Sequence, residues 1–257
     1  MATLTGQTIA SSYEQLLHVD RDGGGNTTTL VNVKDGDNGT TFAMQLSTTT
    51  ICIDNPTASS ATQGGILRLQ SDDGAVMASG HRLGVLEFAG AEDTSSTITV
   101  GARIEALCDN TWSATENGAD MVFYTTDGNA SESEVLRLTA DNNVGIGRSP
   151  LTSHSDYVAL ELGGDGAMMS HDTAGGGATY YGNGFKYDGA FKYISASSAV
   201  SGATNINMQD AEMIFQIASS ASHSAGDTIS FSTRFKIDEN SRISLSNNDT
   251  GTSSTVF

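Results

Sequence analysis

The chain has 257 residues with 12 Lys plus Arg against 30 Asp plus Glu, a formal net charge of −18. Nucleic acids and anionic membranes are both held by basic stripes that displace counterions, so this balance argues against either as a partner. No apolar run approaches the roughly 18–20 residues of a spanning helix. The opening Met1-Ala-Thr-Leu-Thr-Gly-Gln7 lacks the regions of a signal peptide, so we expect synthesis in a cytoplasm without general secretion and no membrane insertion.

In chain order, the first predicted element is a helix over Ile9–Leu17, where Ile9, Tyr13 and Leu16 or Leu17 share a face. A helix this short is marginal alone, since isolated helices below about 12–15 residues melt in water, so its stripe needs a partner surface. Acidic loops follow at Asp20-Arg-Asp22-Gly-Gly-Gly-Asn26 and Asp35-Gly-Asp37-Asn38. Their composition suits calcium, but the bidentate position of an EF-hand counted from Asp20 is Val31, so we expect solvated turns.

The rest of the chain is organised by one phrase that occurs three times: two apolar residues one apart, a polar turn, two more apolar residues one apart. It occurs as Met44-x-Leu46 with Ile51-x-Ile53, Leu136-x-Leu138 with Val144-x-Ile146, and Phe235-x-Ile237 with Ile243-x-Leu245. Side chains alternate across a strand with period two, so each phrase predicts a β-hairpin. The first two copies run on to Pro56 and Pro150, the only prolines, and the third has Asp249 at the similar place. Proline donates nothing to a ladder and suits the exit from a strand.

Further matches extend the repeat. Leu67-x-Leu69 before Asp73-Gly74-Ala-Val-Met77 corresponds to Leu160-x-Leu162 before Asp165-Gly166-Ala-Met-Met169, and Ala119-Asp-Met-Val-Phe123 corresponds to Ala211-Glu-Met-Ile-Phe215. The expected organisation is an N-terminal segment 1–56 with its closing hairpin, β module 1 at 57–150, β module 2 at 151–249, and a C-terminal stub 250–257. If the modules share a fold, Leu136, Leu138, Val144 and Ile146 take the inward face of one hairpin and Phe235, Ile237, Ile243 and Leu245 that of the other. The turn residues Asn142 and Glu239 should tolerate change.

Composition agrees: Gly is 29 residues, charged residues are 16%, and hydrophobic residues are 37%, many in isolated pairs. A core that sparse predicts an all-β chain that buries one face against copies of itself, as a homotrimer built from tandem modules; the alternative is a monomer of two β-sandwiches in tandem. Cys52 and Cys108 lie in separate modules with no framework or metal spacing, and are expected as free thiols.

Leu138-Thr-Ala-Asp-Asn-Asn-Val-Gly-Ile-Gly-Arg-Ser-Pro150 is similar to the NVGIG-x-x-P phrase repeated in bacteriophage tail fibres and related receptor-binding tail proteins. Gly84-Val-Leu-Glu-Phe-Ala-Gly90, Gly101-Ala-Arg-Ile-Glu-Ala106, Trp112-Ser-Ala114 and Met121-Val-Phe-Tyr-Thr-Thr126 resemble the block that precedes it. Tyr180-Tyr181-Gly-Asn-Gly184 with Phe185-Lys-Tyr-Asp-Gly-Ala-Phe-Lys-Tyr193 resembles their aromatic block. The resemblance implies an elongated homotrimeric virion protein, assembled in the host cytoplasm. Its N-terminus docks on the tail or an adaptor protein, and it projects toward a host surface glycan or protein receptor for adsorption. Two departures stand out: the intramolecular chaperone domain of many such fibres has no counterpart, and the sequence stops in a run similar to the opening of Gly-rich repeats.

Docking falls to Ile9, Tyr13, Leu16 and Leu17; no receptor-binding residue is singled out. The aromatics Tyr180, Tyr181, Phe185, Tyr187, Phe191 and Tyr193 suit sugar rings, yet their alternation about Asp188-Gly189 favours a core or an interface. Gly145-x-Gly147-x-x-Pro150 is no dinucleotide loop, because proline replaces the third glycine. His18, His81, His154, His171 and His223 show no metal spacing, and no nucleophile elbow exists, so neither cofactor nor catalytic residue is expected. Alternatives of other classes are a tailspike that degrades host polysaccharide through paired carboxylates and a bacterial surface adhesin.

Overall fold

Short alternating strands joined by Asp-, Asn- and Gly-rich turns can close only on their sequence neighbours, and meanders result. The computed structural model describes residues 16–21, 27–36, 39–128, 131–152, 156–171, 177–196, 202–218 and 222–245. Among these the chain is all-β with no helix, and it divides into two compact units, Met1–Leu69 and Gln70–Phe257.

The first unit holds an antiparallel meander of β1 (Leu17–Val19), β2 (Val31–Asp35), β3 (Thr41–Leu46) and β4 (Ile51–Ile53). Of the predicted helix, residues 9–15 lie outside the described residues, and Leu17 begins a strand instead, paired with Asp35. Pairing with β2 supplies backbone partners that a two-turn helix could not stabilise alone.

The second unit is a twelve-stranded sheet. Its strands are β5 (Arg82–Ala91), β6 (Ile98–Cys108), β7 (Ala119–Thr126), β8 (Glu132–Leu138), β9 (Val144–Ile146), β10 (Tyr157–Leu162), β11 (Gly166–His171), β12 (Thr179–Asn183), β15 (Thr204–Gln209), β16 (Glu212–Ala218), β17 (Phe231–Ile237) and β18 (Ile243–Leu245). They neighbour one another in chain order, and every pairing is antiparallel except β9 with β10. A hairpin of β13 (Phe185–Tyr187) and β14 (Phe191–Tyr193) is inserted between β12 and β15.

All three repeated phrases form hairpins in corresponding register: Met44 faces Ile53, Leu136 faces Ile146 and Phe235 faces Leu245. The second and third share their loop as well. Thr139 N–H donates to Asn143 O and Asn142 N–H to Thr139 O, while Asp238 N–H donates to Arg242 O and Ser241 N–H to Asp238 O. Asn142 and Ser241 take the same left-handed conformation, with φ of 63° and 61°. Asn142 is therefore less tolerant than its turn position suggested, because β-branched residues resist positive φ.

Asp238 closes its loop by accepting from the N–H groups of Arg242 and Asn240 at 3.0 Å each and from the Arg242 guanidinium. The Arg242 N–H above all holds its carboxyl below the usual range, and the Thr97 N–H does the same for Asp93 in the β5–β6 loop. A depressed folded pKa contributes stability that is present above the unfolded value of about 3.9 and lost as pH falls through the folded one. We therefore expect amide protection in both loops to hold at pH 5 and to fall only below about pH 4; hydrogen exchange against pH measures it.

Candidate functional site

The two faces of the twelve-stranded sheet differ. One face covers itself. Glu105, buried, pairs with Arg82 at 2.8 Å and Arg103 at 3.3 Å, and Arg103 also meets Glu132 and lies 4.2 Å over the Tyr124 ring. Arg137 grips Glu134 through two nitrogens and Asp120 through a third bond of 2.7 Å. Burial pushes the Tyr124 hydroxyl up, and the Glu134 carboxylate holds the Arg137 guanidinium charged.

Glycine opens this face at two points, and the chain crosses it at both. A Cβ at Gly145 would overlap the Arg148 carbonyl oxygen and lie 2.7 Å from Pro150 Cδ, so the NVGIG-x-x-P phrase is a strand with its own exit folded over it. The fold-over is locked by buried polar groups. Glu161, fully buried on β10, accepts the N–H groups of Leu151 at 3.0 Å and Thr152 at 2.8 Å and faces Arg148 Nε at 3.3 Å. Asn143 donates to Thr152 O at 2.9 Å and accepts from Ala159 N–H at 2.8 Å. Gly182 plays the second part: a Cβ there would lie 2.6 Å from the Phe185 ring.

Over Gly182 the β13–β14 hairpin builds the apolar core. Phe185, Met169 and Ala203 are fully buried, with Ala159, Tyr180 and Tyr193 close to it. The Phe185 ring meets Phe191 and Phe231 edge-on at 5.5 and 5.7 Å. Phe185 pairs with Tyr193 and Tyr187 with Phe191, so these aromatics serve the chain's own core, whereas Tyr181 points to the other face and is 42% exposed.

That other face carries the apolar residues in rows, with Ser170, Thr179, Asn183 and Thr204 at its margin. One row of directly opposed residues crosses all twelve strands: Gly84, Ala106, Met121, Leu138, Val144, Leu160, Met168, Tyr181, Ile206, Phe215, Phe235 and Leu245. A second row runs beside it through Leu86, Ile104, Phe123, Leu136, Ile146 and Leu162. Ten large apolar residues of this face are 39–62% exposed, which makes a contiguous patch of the kind that marks an interaction surface. The two closing hairpins share this face, as a common module requires, but the expected inward burial is not found within the chain. Leu138, Ile146, Ile243 and Leu245 are 40, 46, 62 and 47% exposed, because among the described residues of this unit no second layer covers them. The sequence signal for the face was present in the apolar pairs; what it could not disclose was their alignment into one row.

The remaining candidate residues do not converge. Ile9 and Tyr13 lie outside the described residues, and Leu16 and Leu17 are 51 and 65% exposed. Asp20 pairs with Lys34 at 2.8 Å, and Asp35 accepts Thr40 N–H at 2.9 Å; Asp22, Asn26, Asp37 and Asn38 lie outside. His18 stands on β1, His81 accepts the Ala78 N–H, His171 packs on Tyr157 and His223 stacks on Tyr193, while His154 lies outside. Among the described residues no group of three or more His, Cys, Asp and Glu gathers. Cys52 and Cys108 are free, and burial pushes the Cys108 thiol up. The cavities include one of about 450 Å³ beside Phe42, Gln45 and Asp54 and an open one of about 470 Å³ beside Val76 and Trp112.

No protein-family profile matches the chain, and no curated protein sequence matches it. Among solved structures, the C-terminal domain of the bacteriophage T5 L-shaped tail fibre aligns over 75% of this chain and 90% of that chain, at 13% identity and a TM-score of 0.40. The same domain with its intramolecular chaperone domain aligns over 75% of this chain and 62% of that chain, again at 13% identity and 0.40. At that score the likeness by itself assigns neither a fold nor a function.

Proposed function

We propose that the chain is a structural protein of a bacteriophage tail fibre, a non-enzymatic homotrimer that carries host adsorption away from the tail. The observation that carries this reading is the open apolar face: a sheet twelve strands wide with one self-covered side and one exposed hydrophobic side needs a second layer. Copies of the same chain supply it, each turning its face to an axis, and the tail-fibre motifs of the sequence favour three of them. The ion pairs and locked loops of the other side then face water. The protein belongs to the virion and assembles in the host cytoplasm.

Substitution on the open face separates this reading from that of a monomer. Leu162→Glu places a charge at a site that is 48% exposed in the single chain, where surface changes cost within about 0.5 kcal/mol. In a packed trimer the same charge is buried three times, and we expect dissociation with the β-sheet circular dichroism retained. Unchanged assembly of Leu162→Glu together with Leu138→Glu would refute the reading.

Residues 1–56 are proposed as the attachment region, with Ile9, Tyr13, Leu16 and Leu17 against the tail or an adaptor. Since β1 starts at Leu17, removal of residues 1–15 spares the sheet of the first unit. That truncation should abolish incorporation into virions, scored by mass spectrometry of purified particles, while leaving the oligomer intact.

A further inference from the structure

The internal repeat places a strand beside β4 that the chain does not supply from itself. In the second unit the closing hairpin is extended by β10, which pairs parallel to β9 with Leu160 opposite Val144 and Leu162 opposite Ile146. Each partner follows sixteen positions after its mate. Sixteen positions after Ile51 and Ile53 stand Leu67 and Leu69, the residues that the repeat already matches to Leu160 and Leu162. Yet residues 66–69 form no strand, β4 is the last strand of its sheet, and Ile51, Leu67 and Leu69 are 70, 69 and 48% exposed.

The reason lies in the lock. Return of β10 onto β9 depends on Gly145, which lets the exit loop cross, and on Asn143 and Glu161, which hold that loop. In the first copy these three positions are Cys52, Thr50 and Arg68. Cys52 has the Cβ that Gly145 must lack, and a cation replaces the carboxylate that collects the loop N–H groups. The chain instead meets Ile53 with Gly65, whose Cβ would lie 3.1 Å from the Ile53 carbonyl carbon, four residues ahead of the repeat register. The strand sequence is kept while its means of folding back are gone.

We propose that residues 66–69 add as a parallel strand to the outer edge of β4 in a neighbouring copy, taking the place at Ile53 that the chain's own Gly65 holds, so that the chains exchange strands at this joint. The register that satisfies Leu67 and Leu69 against Ile51 and Ile53 sets Arg68 opposite Cys52. There it shares a face with Gln45 and with the exposed Asp54 carboxylate, whose charge it complements. This inference rests on the homo-oligomer proposed above.

The register supplies its own test, because directly opposed strand residues are within reach of a disulfide. Arg68→Cys changes an exposed residue and gives each chain one new thiol for Cys52. After treatment with oxidised glutathione, a denaturing non-reducing gel should show chains linked in twos and threes. The link should vanish on reduction and in Cys52→Ser/Arg68→Cys. The native mass of the same sample is measured in parallel. A disulfide between positions 52 and 68 confined to single chains, or no link in an intact oligomer, overturns the exchange and leaves the assembly standing; a monomeric native mass overturns both.

Discussion

Glu161→Ala is expected to lower stability by about 3–5 kcal/mol, the usual cost of removing one member of a buried ion pair. The carboxylate is fully buried and receives two backbone N–H groups besides facing Arg148, so its loss strands the Leu151 and Thr152 donors and leaves the Arg148 guanidinium with the Ser149, Gly163 and Gly164 carbonyls but no counter-charge at that site. The exit loop would lift from Gly145, and β9 would lose the cover on its polar side. Glu161→Gln keeps the shape and one carbonyl acceptor and should recover part of the loss. Denaturant midpoints at one fixed protein concentration compare the variants, since the stability of an assembling chain depends on concentration.

Phe185→Ala should cost about 3–5 kcal/mol as well, in line with the truncation of buried aromatics elsewhere. The ring is wholly buried above Gly182 and touches Phe191 and Phe231 edge-on. Its removal leaves a cavity that the β13–β14 hairpin cannot close, because the hairpin is tethered by the hydrogen bonds of Ile194 N–H to Gly184 O and Tyr193 N–H to Asp227 O. Near-ultraviolet circular dichroism should lose the aromatic signal at a lower temperature than in the unaltered protein. Tyr181→Ala, on the open face of the same sheet, should leave that signal's midpoint nearly unchanged in a dissociated chain.

What sequence could disclose followed from locality. The hairpins at Leu136–Ile146 and Phe235–Leu245 were legible because period-two alternation and a turn lie within a dozen residues. The correspondence of Met121 with Met213 was legible for the same reason. The aromatic alternation about Asp188-Gly189 likewise foretold a hairpin. Three features were not accessible. Leu17 belongs to a strand rather than a helix, since its partner Asp35 lies beyond two turns and no local pattern announces it. Glu161 sits between Leu160 and Leu162 like any outward residue of an alternating strand, and its burial depends on a loop crossing ten residues earlier. The cover over Val144 and Ile243 was not legible either, because alternation fixes which residues share a face, not which layer covers that face.

A single copy carries an apolar row across the full width of its twelve-stranded sheet, and such surfaces drive association. Assembly and solubility are thus coupled, and variants that block the open face should be recovered as monomers or aggregates rather than as a different ordered particle.

The most direct measurement is the mass of the protein in solution by sedimentation equilibrium across a wide range of concentration. The homotrimer proposed above predicts a particle of three times 26.7 kDa that persists on dilution. A particle of 26.7 kDa at every concentration, with its sheet intact, would contradict it.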